Sequence, residues 1–452
     1  MQYLILLFLM CSSIFAGQLD ISGKVPLDSG TKPFCVLDKD NNLHVAYTKG
    51  GIKYLKVSPL GDVSDKETLS TDNGDNPWLT VDTKGNVHVV WDIGKACFYK
   101  KKEGNTWGST INLPTPRTAW NETPQVAADK DGVAFWSFVG IDSSSIKIPP
   151  SSSYYGVIEG GAAKTIYSHT KESNARPPAL LGPDSRNAGD GKVYYFVGGQ
   201  QVSWGEFIDQ KPEENIFDIL INQNASSGFH AIWADSIILF MNAGHKHGLN
   251  GVEVNNLSKD MRSILAGETN SPWPFPRGAY DKKYGVAYFL FSDSNESASL
   301  QFWNPVTDSI STKVKVGTVT SGGKGCGAGG IAATPWGGVY VVYSESGMLQ
   351  RVTVGTSDST VVGVKQNINN TMNQLAVYKN GKKVYIKAKD IASGSASSVH
   401  IFNYNGTEVA SLPLTQDGNV HWNTESVPVG VYMITLHING KRRSTEKISL
   451  LH

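Results

Sequence analysis

A hairpin unit that recurs along the first two-thirds of the chain constrains the fold more than any other feature. In the three clearest copies a proline lies five residues before an aspartate, and a turn with Asn or Gly leads into a second apolar strand. These copies are Pro33–Asp38 running to Leu43–Tyr47, Pro77–Asp82 running to Val87–Trp91, and Pro124–Asp129 running to Val133–Trp136. A further strand and an exposed loop follow each hairpin, so one unit takes about 45 residues.

Four looser copies of the unit continue downstream. They are Ala179–Asp184 with Val193–Phe196, His230–Asp235 with Ile237–Phe240, Arg277–Asp281 with Val286–Phe289, and Gly330–Ala333 with Val339–Tyr343. Units of this size match four-stranded propeller blades, which cannot bury both faces alone. The sequence therefore predicts an all-β chain with a seven-bladed β-propeller at residues 17–355. A β-sandwich or a solenoid of similar hairpins is the alternative.

Charge and composition exclude some partners. The formal net charge is +1 and only 18% of residues are charged, so no strong electrostatic field favours binding to nucleic acid or to an anionic membrane.

Leu4–Met10 and the residues on to Ala16 form a short apolar run ending in small residues, which predicts a signal peptide at residues 1–16. No other apolar run approaches the roughly 20 residues of a membrane helix, so we expect no transmembrane segment.

Three cysteines follow the predicted cleavage site: Cys35, Cys97 and Cys326. The first and seventh blades become neighbours when a ring closes, so a disulfide between Cys35 and Cys326 could fasten it. We expect no cofactor and no metal site. His245 and His247 are read as part of a solvated loop, because two His two residues apart without a further ligand are weak evidence for a metal.

One short motif points to a known propeller superfamily. Gly104-Asn-Thr-Trp107 is similar to the end of the Asp box, Ser-x-Asp-x-Gly-x-Thr-Trp, with Lys100 and Lys102 where that motif has Ser and Asp. Residues 30 to 355 therefore resemble the sialidase-like propellers with BNR, or Asp-box, repeats. The Arg-Ile-Pro sequence of the sialidases is not found, and no third arginine can be assigned to a carboxylate site.

The last part of the chain has its own pattern. A Ser-, Thr- and Asn-rich linker is predicted at residues 356–373, followed at 374–452 by short strands that form a small Ig-like β-sandwich. Three segments of it resemble the sorting domain of type IX secretion cargo: Ile401–Val409, Val427–Tyr432 and Lys447–Leu450. The resemblance implies a secreted or cell-surface protein whose residues 374–452 are read by the secretion machinery. An accessory binding module is the alternative.

Residues just before each repeat's first apolar strand should converge on one mouth of the channel, where propeller ligands commonly bind. Catalytic roles are predicted for His230, Arg277 and Tyr280, since Arg can neutralise a uronate carboxylate and His or Tyr can move protons. The predicted substrate-binding residues are Arg176, Glu122, Trp120, Asn76 and Trp273. The Ser- and Gly-rich segment 143–171 is predicted to be a functional insertion.

The leading hypothesis is a carbohydrate-active propeller that binds or degrades an acidic polysaccharide, as a polysaccharide lyase or glycoside hydrolase if it is an enzyme. A non-catalytic lectin-like or adhesive surface protein is the second hypothesis. A propeller that binds proteins through its loops is the third.

Overall fold

In the computed structural model, every regular element of the described residues is a β-strand, which confirms the predicted all-β class. The described residues are 19–115, 120–141, 151–171, 179–187, 189–198, 201–208, 211–220, 225–234, 237–244, 248–255, 261–267, 276–294, 297–304, 309–319, 329–356, 375–380, 383–388, 397–403, 407–415, 417–428, 430–439 and 441–450. The predicted signal peptide, residues 357–373 of the predicted linker, and the pair His245 and His247 lie outside them. Over the described residues, no helix has the length and apolar character needed to cross a membrane.

The first strands are rich in apolar residues, with Leu43–Thr48 and Val87–Ile93 buried along most of their length, and turns of Asn, Asp and Gly separate several of them. The chain starts with β1 (Leu19–Ile21) and β2 (Val25–Ser29). Sheet 1 contains β3 (Thr31–Leu37), β4 (Leu43–Thr48), β5 (Ile52–Val57) and β6 (Val63–Ser70). Sheet 2 contains β7 (Asp75–Val81), β8 (Val87–Ile93), β9 (Ala96–Glu103), β10 (Thr106–Trp107) and β11 (Ile111–Asn112). Sheet 3 contains β12 (Trp120–Ala128), β13 (Ala134–Ile141), β14 (Ser151–Glu159) and β15 (Ala162–Lys171).

Four further sheets continue the same antiparallel order. Sheet 4 contains β16 (Ala179–Leu181), β17 (Tyr194–Gly198), β18 (Gln201–Ile208) and β19 (Lys211–Leu220). Sheet 5 contains β20 (Ala225–Ala234), β21 (Ile237–Gly244), β22 (Gly248–Asn255) and β23 (Met261–Gly267). Sheet 6 contains β24 (Arg277–Asp281), β25 (Val286–Ser294), β26 (Ser297–Asn304), β27 (Ser309–Ile310) and β28 (Val314–Thr318). Sheet 7 contains β29 (Gly330–Ala333), β30 (Val339–Glu345) and β31 (Met348–Thr356).

The first strand of each of these sheets contacts the first strand of the next. Within the described part of the chain the contacts run through β3, β7, β12, β16, β20, β24 and β29, and β29 contacts β3 again. We call these seven the inner strands. Their cyclic order surrounds a central channel, and sheets of four antiparallel strands are the form that propeller blades take.

Strands from both ends of this region meet in sheet 7. Both β1 and β2 pair with β31, so that Leu19 lies opposite Thr356 and Val25 opposite Arg351. The ring is therefore fastened by backbone pairing. A disulfide would be an alternative fastening, but Cys35 carries a free, buried thiol, and burial raises the pKa of that thiol. Its expected partner, Cys326, lies outside the described residues.

The turn after the inner strand is built around a buried aspartate in sheets 1 and 2. In sheet 2 the Asp82 carboxylate accepts hydrogen bonds from the Lys84 and Asn86 amides at 2.9 and 2.8 Å. The His88 Nε2–H donates to it at 3.1 Å, and the Tyr99 hydroxyl donates to His88 Nδ1 at 2.8 Å. Asp38, His44 and Tyr54 repeat this arrangement in sheet 1. The repeated histidines thus hold turns in place.

Two sequence expectations about sheet 3 need correction. Counted from the turn aspartate, Phe138 takes the place of Tyr47 and Trp91, so the expected alignment on Trp136 is two residues too early. The expectation of a functional insertion is wrong for residues 151–171, which form β14 and β15 with Tyr154 and Tyr155 in the core.

The C-terminal part of the chain forms two sheets around one core. One contains β32 (Leu375–Asn380), β33 (Lys383–Ala388) and β36 (Asn419–Asn423). The other contains β34 (Ser397–Asn403), β35 (Glu408–Pro413), β37 (Gly430–Ile438) and β38 (Lys441–Leu450). Side chains of both sheets, among them Val384, Ile401 and Ile434, pack in one apolar cluster. This is the layered arrangement of a small sandwich.

Candidate functional site

The inner strands surround a cavity of about 480 Å³. It is lined along their second halves, from Phe34 to Leu37 on β3 and from Trp78 to Thr80 on β7, and at matching levels on the other five. We call the end of the channel with Pro33, Pro77 and Pro124 the proline end, and the end with the turn aspartates the turn end. The cavity belongs to the turn end.

Four side chains from sheets 1, 2, 5 and 6 meet across the channel beside this cavity, and we call Phe34, Trp78, His230 and Arg277 the channel layer. The rings of Phe34 and Trp78 stack with centroids 4.0 Å apart. The Arg277 guanidinium lies 4.7 Å from the centroid of the Trp78 ring, within cation–π range. The His230 ring meets Trp78 edge-on at 5.2 Å. Trp78 therefore has one face against Phe34 and a cation over its ring.

His230 is held as a neutral imidazole. The Gly278 amide donates to its Nδ1 at 2.9 Å, which leaves the proton on Nε2. Burial, assisted by the charge of Arg277, lowers the pKa of His230 to about 3. A group that weakly basic is a poor proton acceptor at neutral pH, where a general base needs a pKa near the working pH.

Arg277 and Tyr280 lie three residues apart on β24, so their side chains leave opposite faces of the strand. Arg277 is buried, and one of its guanidinium N–H groups donates to the Pro276 carbonyl at 3.1 Å. Tyr280 is half-buried, packs beside the cluster around Phe289 and lines the cavity. Of the three predicted catalytic residues, the structure brings His230 together with Arg277 and places Tyr280 on the other face.

At the proline end, three residues preceding the repeat prolines have left-handed backbone: Lys32, Asn76 and Thr123, with φ of 53°, 47° and 54°. Such values are uncommon outside glycine and mark strained positions. Asn76 Nδ2 donates to Asp92 at 2.7 Å, and the Thr123 amide donates to the same carboxylate at 3.1 Å. Lys32 pairs with Asp75 of the neighbouring sheet. These polar groups join sheets 1 to 3.

The other predicted binding residues cannot be placed as side chains. Trp120 and Glu122 lie on β12, opposite Ile141 and Val139 of β13. Arg176 and Trp273 lie outside the described residues. All the predicted site roles remain predictions.

Sequence reasoning missed the segment that closes the turn end, Gly182–Asn187, which we call the strap. It follows β16 and crosses the channel: the Ser185 amide donates to the Val81 carbonyl of sheet 2 at 2.9 Å, and Arg186 donates to the Ala333 carbonyl of sheet 7. A Cβ on Gly182 would lie 2.3 Å from the Ala128 carbonyl oxygen, so only glycine fits where the strap begins. Twelve residues separate β16 from β17, whereas five separate β3 from β4. This longer connection is the sequence feature from which the strap could have been predicted.

The cavity wall carries few charges. Asp184, Arg186 and Lys282 line it. Asp184 Oδ1 accepts bonds from the amides of Arg186 and Asn187, both at 2.7 Å, and burial raises the pKa of Asp184. Across the residues that the structure describes, no three His, Cys, Asp or Glu side chains are placed to hold a metal ion.

The segments resembling a sorting domain form the core of the C-terminal sandwich. Ile401 on β34 and both Ile448 and Leu450 on β38 are buried. The Tyr432 hydroxyl donates to the Pro428 carbonyl at 2.7 Å, and its ring meets Trp422 edge-on at 5.2 Å. The Val-Pro-x-Gly-Val-Tyr pattern therefore fixes the start of β37 against the other sheet.

Comparisons with known proteins bear on both parts. No curated protein sequence matches the chain. A crystal structure of a protein of unknown function from Dyadobacter fermentans is 10% identical, with a TM-score of 0.41, over 75% of this chain and 99% of that one. The SapL1 lectin in complex with alpha methyl fucoside is 11% identical, with a TM-score of 0.44, over 66% of this chain and 98% of the lectin. Residues 376–450 match the family described as the secretion system C-terminal sorting domain, and the protein is accordingly secreted to the cell surface or beyond.

Proposed function

We propose that this secreted protein is a seven-bladed β-propeller that binds a glycan in the hollow turn end of its central channel without transforming it. The cavity of about 480 Å³ where the inner strands converge carries the proposal. Its size is within the roughly 300–1,000 Å³ of small-molecule sites, and its wall combines apolar surface with a few polar groups, as such sites do. The cyclic contacts of the inner strands support seven blades.

Binding fits the site better than catalysis. The low pKa of His230 removes the obvious proton acceptor, and its Nδ1 is already occupied by the Gly278 amide. Arg277 is packed on Trp78 and leaves β24 on the face opposite to Tyr280. A lyase needs the carboxylate-binding cation and the proton-transfer group at one carbon atom of the substrate.

An acidic sugar is the glycan class that the charges favour. Among the lining residues that the structure describes, Arg186 and Lys282 bring two cations to the cavity wall against one carboxylate, that of Asp184. That carboxylate is engaged by two strap amides. Arginine can also bind a carboxylate through two parallel N–H groups.

The proposed domains follow the sequence boundaries: a signal peptide at 1–16, the propeller at 17–355, a linker at 356–373 and an Ig-like sorting sandwich at 374–452. The position of Gly104–Trp107 supports a relationship to the sialidase-like superfamily. This segment forms the turn between β9 and β10 at the outer edge of sheet 2, and the Asp box lies in the outer turn of a blade. The proposed partners are a glycan and, through residues 374–452, the secretion machinery.

The test is a panel of immobilised glycans, acidic and neutral, exposed to the full mature chain. Retention without release of reducing ends, and without new absorbance near 235 nm, is expected. Tyr280→Ala should weaken retention about tenfold, which is roughly 1.4 kcal/mol. Tyr385→Ala, on the distant β33, is the control and should not. Release of unsaturated products would favour the lyase, and retention of no glycan would contradict the proposal.

A further inference from the structure

We infer that the cavity accepts one terminal unit of a glycan chain and excludes internal segments. This deepens the proposed function and rests on it. The inference depends on how the channel is closed at two levels, by the channel layer on one side of the cavity and by the strap on the other.

The channel layer blocks passage toward the proline end. Phe34 and Trp78 are each only 6% exposed and stack on one another, and the Arg277 guanidinium reaches them from sheet 6. Arg277 is itself 6% exposed. A sugar ring could pass only if this stack separated and a buried cation lost its aromatic contact, so the layer is a floor for the cavity.

The strap covers the opposite side of the cavity. Its crossing bonds end on two backbone carbonyls, those of Val81 and Ala333 at the ends of β7 and β29. Arg186 is an exposed residue, whereas Phe34, Trp78 and Arg277 of the channel layer are buried. The strap is therefore the side that opens at lower cost, and ligand exchange takes place there.

A cavity that is closed on one side and opens on the other admits the end of a glycan chain but not an internal segment. An internal sugar unit has a chain leaving it in both directions and needs two exits, whereas a terminal unit needs one. The volume of about 480 Å³ suits a small ligand and not an extended segment. The amount of protein bound should therefore depend on the number of polysaccharide chain ends and not on the length of the chains.

The experiment compares polygalacturonate, alginate and a neutral glucan, each intact and partly acid-hydrolysed, at equal mass. Partial hydrolysis multiplies the chain ends, so the binding capacity of the retained glycan should rise in proportion to them. Capacity that stays constant or falls after hydrolysis would overturn the inference while leaving the proposed function intact. Retention of none of the three in either form would contradict both.

Strap opening is tested in the same preparations. Arg186→Lys keeps the positive charge on the cavity wall but replaces the guanidinium that bonds the Ala333 carbonyl, and it should raise the association and dissociation rates of the hydrolysed glycan several-fold. Lys84→Ala is the matched control, because Lys84 is a cation at the same end whose contact, to the Asp131 carbonyl, joins neighbouring sheets without crossing the channel. Hydrogen exchange at the Ser185 amide should be faster than at the Gly85 amide and should slow when ligand is bound. Equal rates in both variants, or no ligand effect on Ser185, would contradict the strap as the opening.

Discussion

The proline end and the turn end of the channel are made by the same seven strands but use their polar groups differently. At the proline end, Asp92 accepts bonds from Asn76 and Thr123 and so joins sheets 2 and 3. At the turn end, Asp38 and Asp82 hold their own turns, and Asp281 also accepts a bond from the Gly338 amide of sheet 7. A cavity remains between these turns and the strap. A ring can thus be stabilised at one level of its channel and left hollow at another, and the hollow level is where a ligand fits.

Trp78→Ala should produce the largest loss of stability, because it removes the stacking with Phe34 and leaves Arg277 without its main ring. Truncating a buried aromatic costs about 3–5 kcal/mol. The control is Trp336→Ala at the turn end, which is half-buried against Tyr340 and should cost roughly half as much. Urea unfolding of both variants measures the difference, and equal losses would remove the distinction between a filled and a hollow end.

Asp82→Ala should cost about 3 kcal/mol, because it leaves a buried histidine and turn amides without their acceptor. Burial alone would raise the pKa of Asp82, but hydrogen bonds from His88 and Asn86 outweigh it and lower the pKa to about 2. Asp131→Ala, at an exposed ion pair with Lys130, is the control and should leave the stability nearly unchanged. A small loss for Asp82→Ala would mean that the regular turns are as loosely held as the strap.

Acid should weaken the channel layer through His230. Its pKa falls from 6.5 in the unfolded chain to about 3 in the fold, so the folded state binds the proton less well. This contribution is complete above about pH 6.5 and is lost as the pH falls toward 3, at no more than about 1.4 kcal/mol per pH unit for one proton. In His230→Asn, whose amide oxygen can replace Nδ1 as acceptor, Tm should fall less steeply between about pH 6 and pH 4. Equal slopes of Tm against pH in His230→Asn and in the unmodified protein would contradict this explanation.

Arg186→Ala should have the smallest effect on global stability, under about 1 kcal/mol, because the bond to the Ala333 carbonyl is made by an exposed side chain. Lys24→Ala, which removes an exposed ion pair with Glu345, gives the reference value. Both are measured by the urea midpoint. A loss as large as that of Trp78→Ala would make the strap part of the scaffold and not a lid.

The regular repeats could be predicted because each carries its own local signals, a proline, an aspartate and an Asn- or Gly-containing turn. The register of sheet 3 could not, because β13 contains Phe135, Trp136 and Phe138, all buried, and a strand buried on both faces has no alternation to fix its alignment. His230 and Arg277 were found because each opens a copy of the repeat in the sequence, although only Arg277 begins its strand and His230 lies within β20. The strap was not predicted because its hydrogen bonds are to residues of sheets 2 and 7, which are distant from sheet 4 in the sequence.

Pairing of β1 and β2 with β31 has a mechanical consequence. Leu19 and Thr356 are partners in an antiparallel ladder, so the chain enters and leaves the ring at the same edge. A load applied between the N-terminus and the sorting sandwich pulls this ladder apart one pair at a time, which needs less force than shearing all pairs together. Tension on an anchored tail and a held N-terminus would peel sheet 7 open before it disturbed the other six.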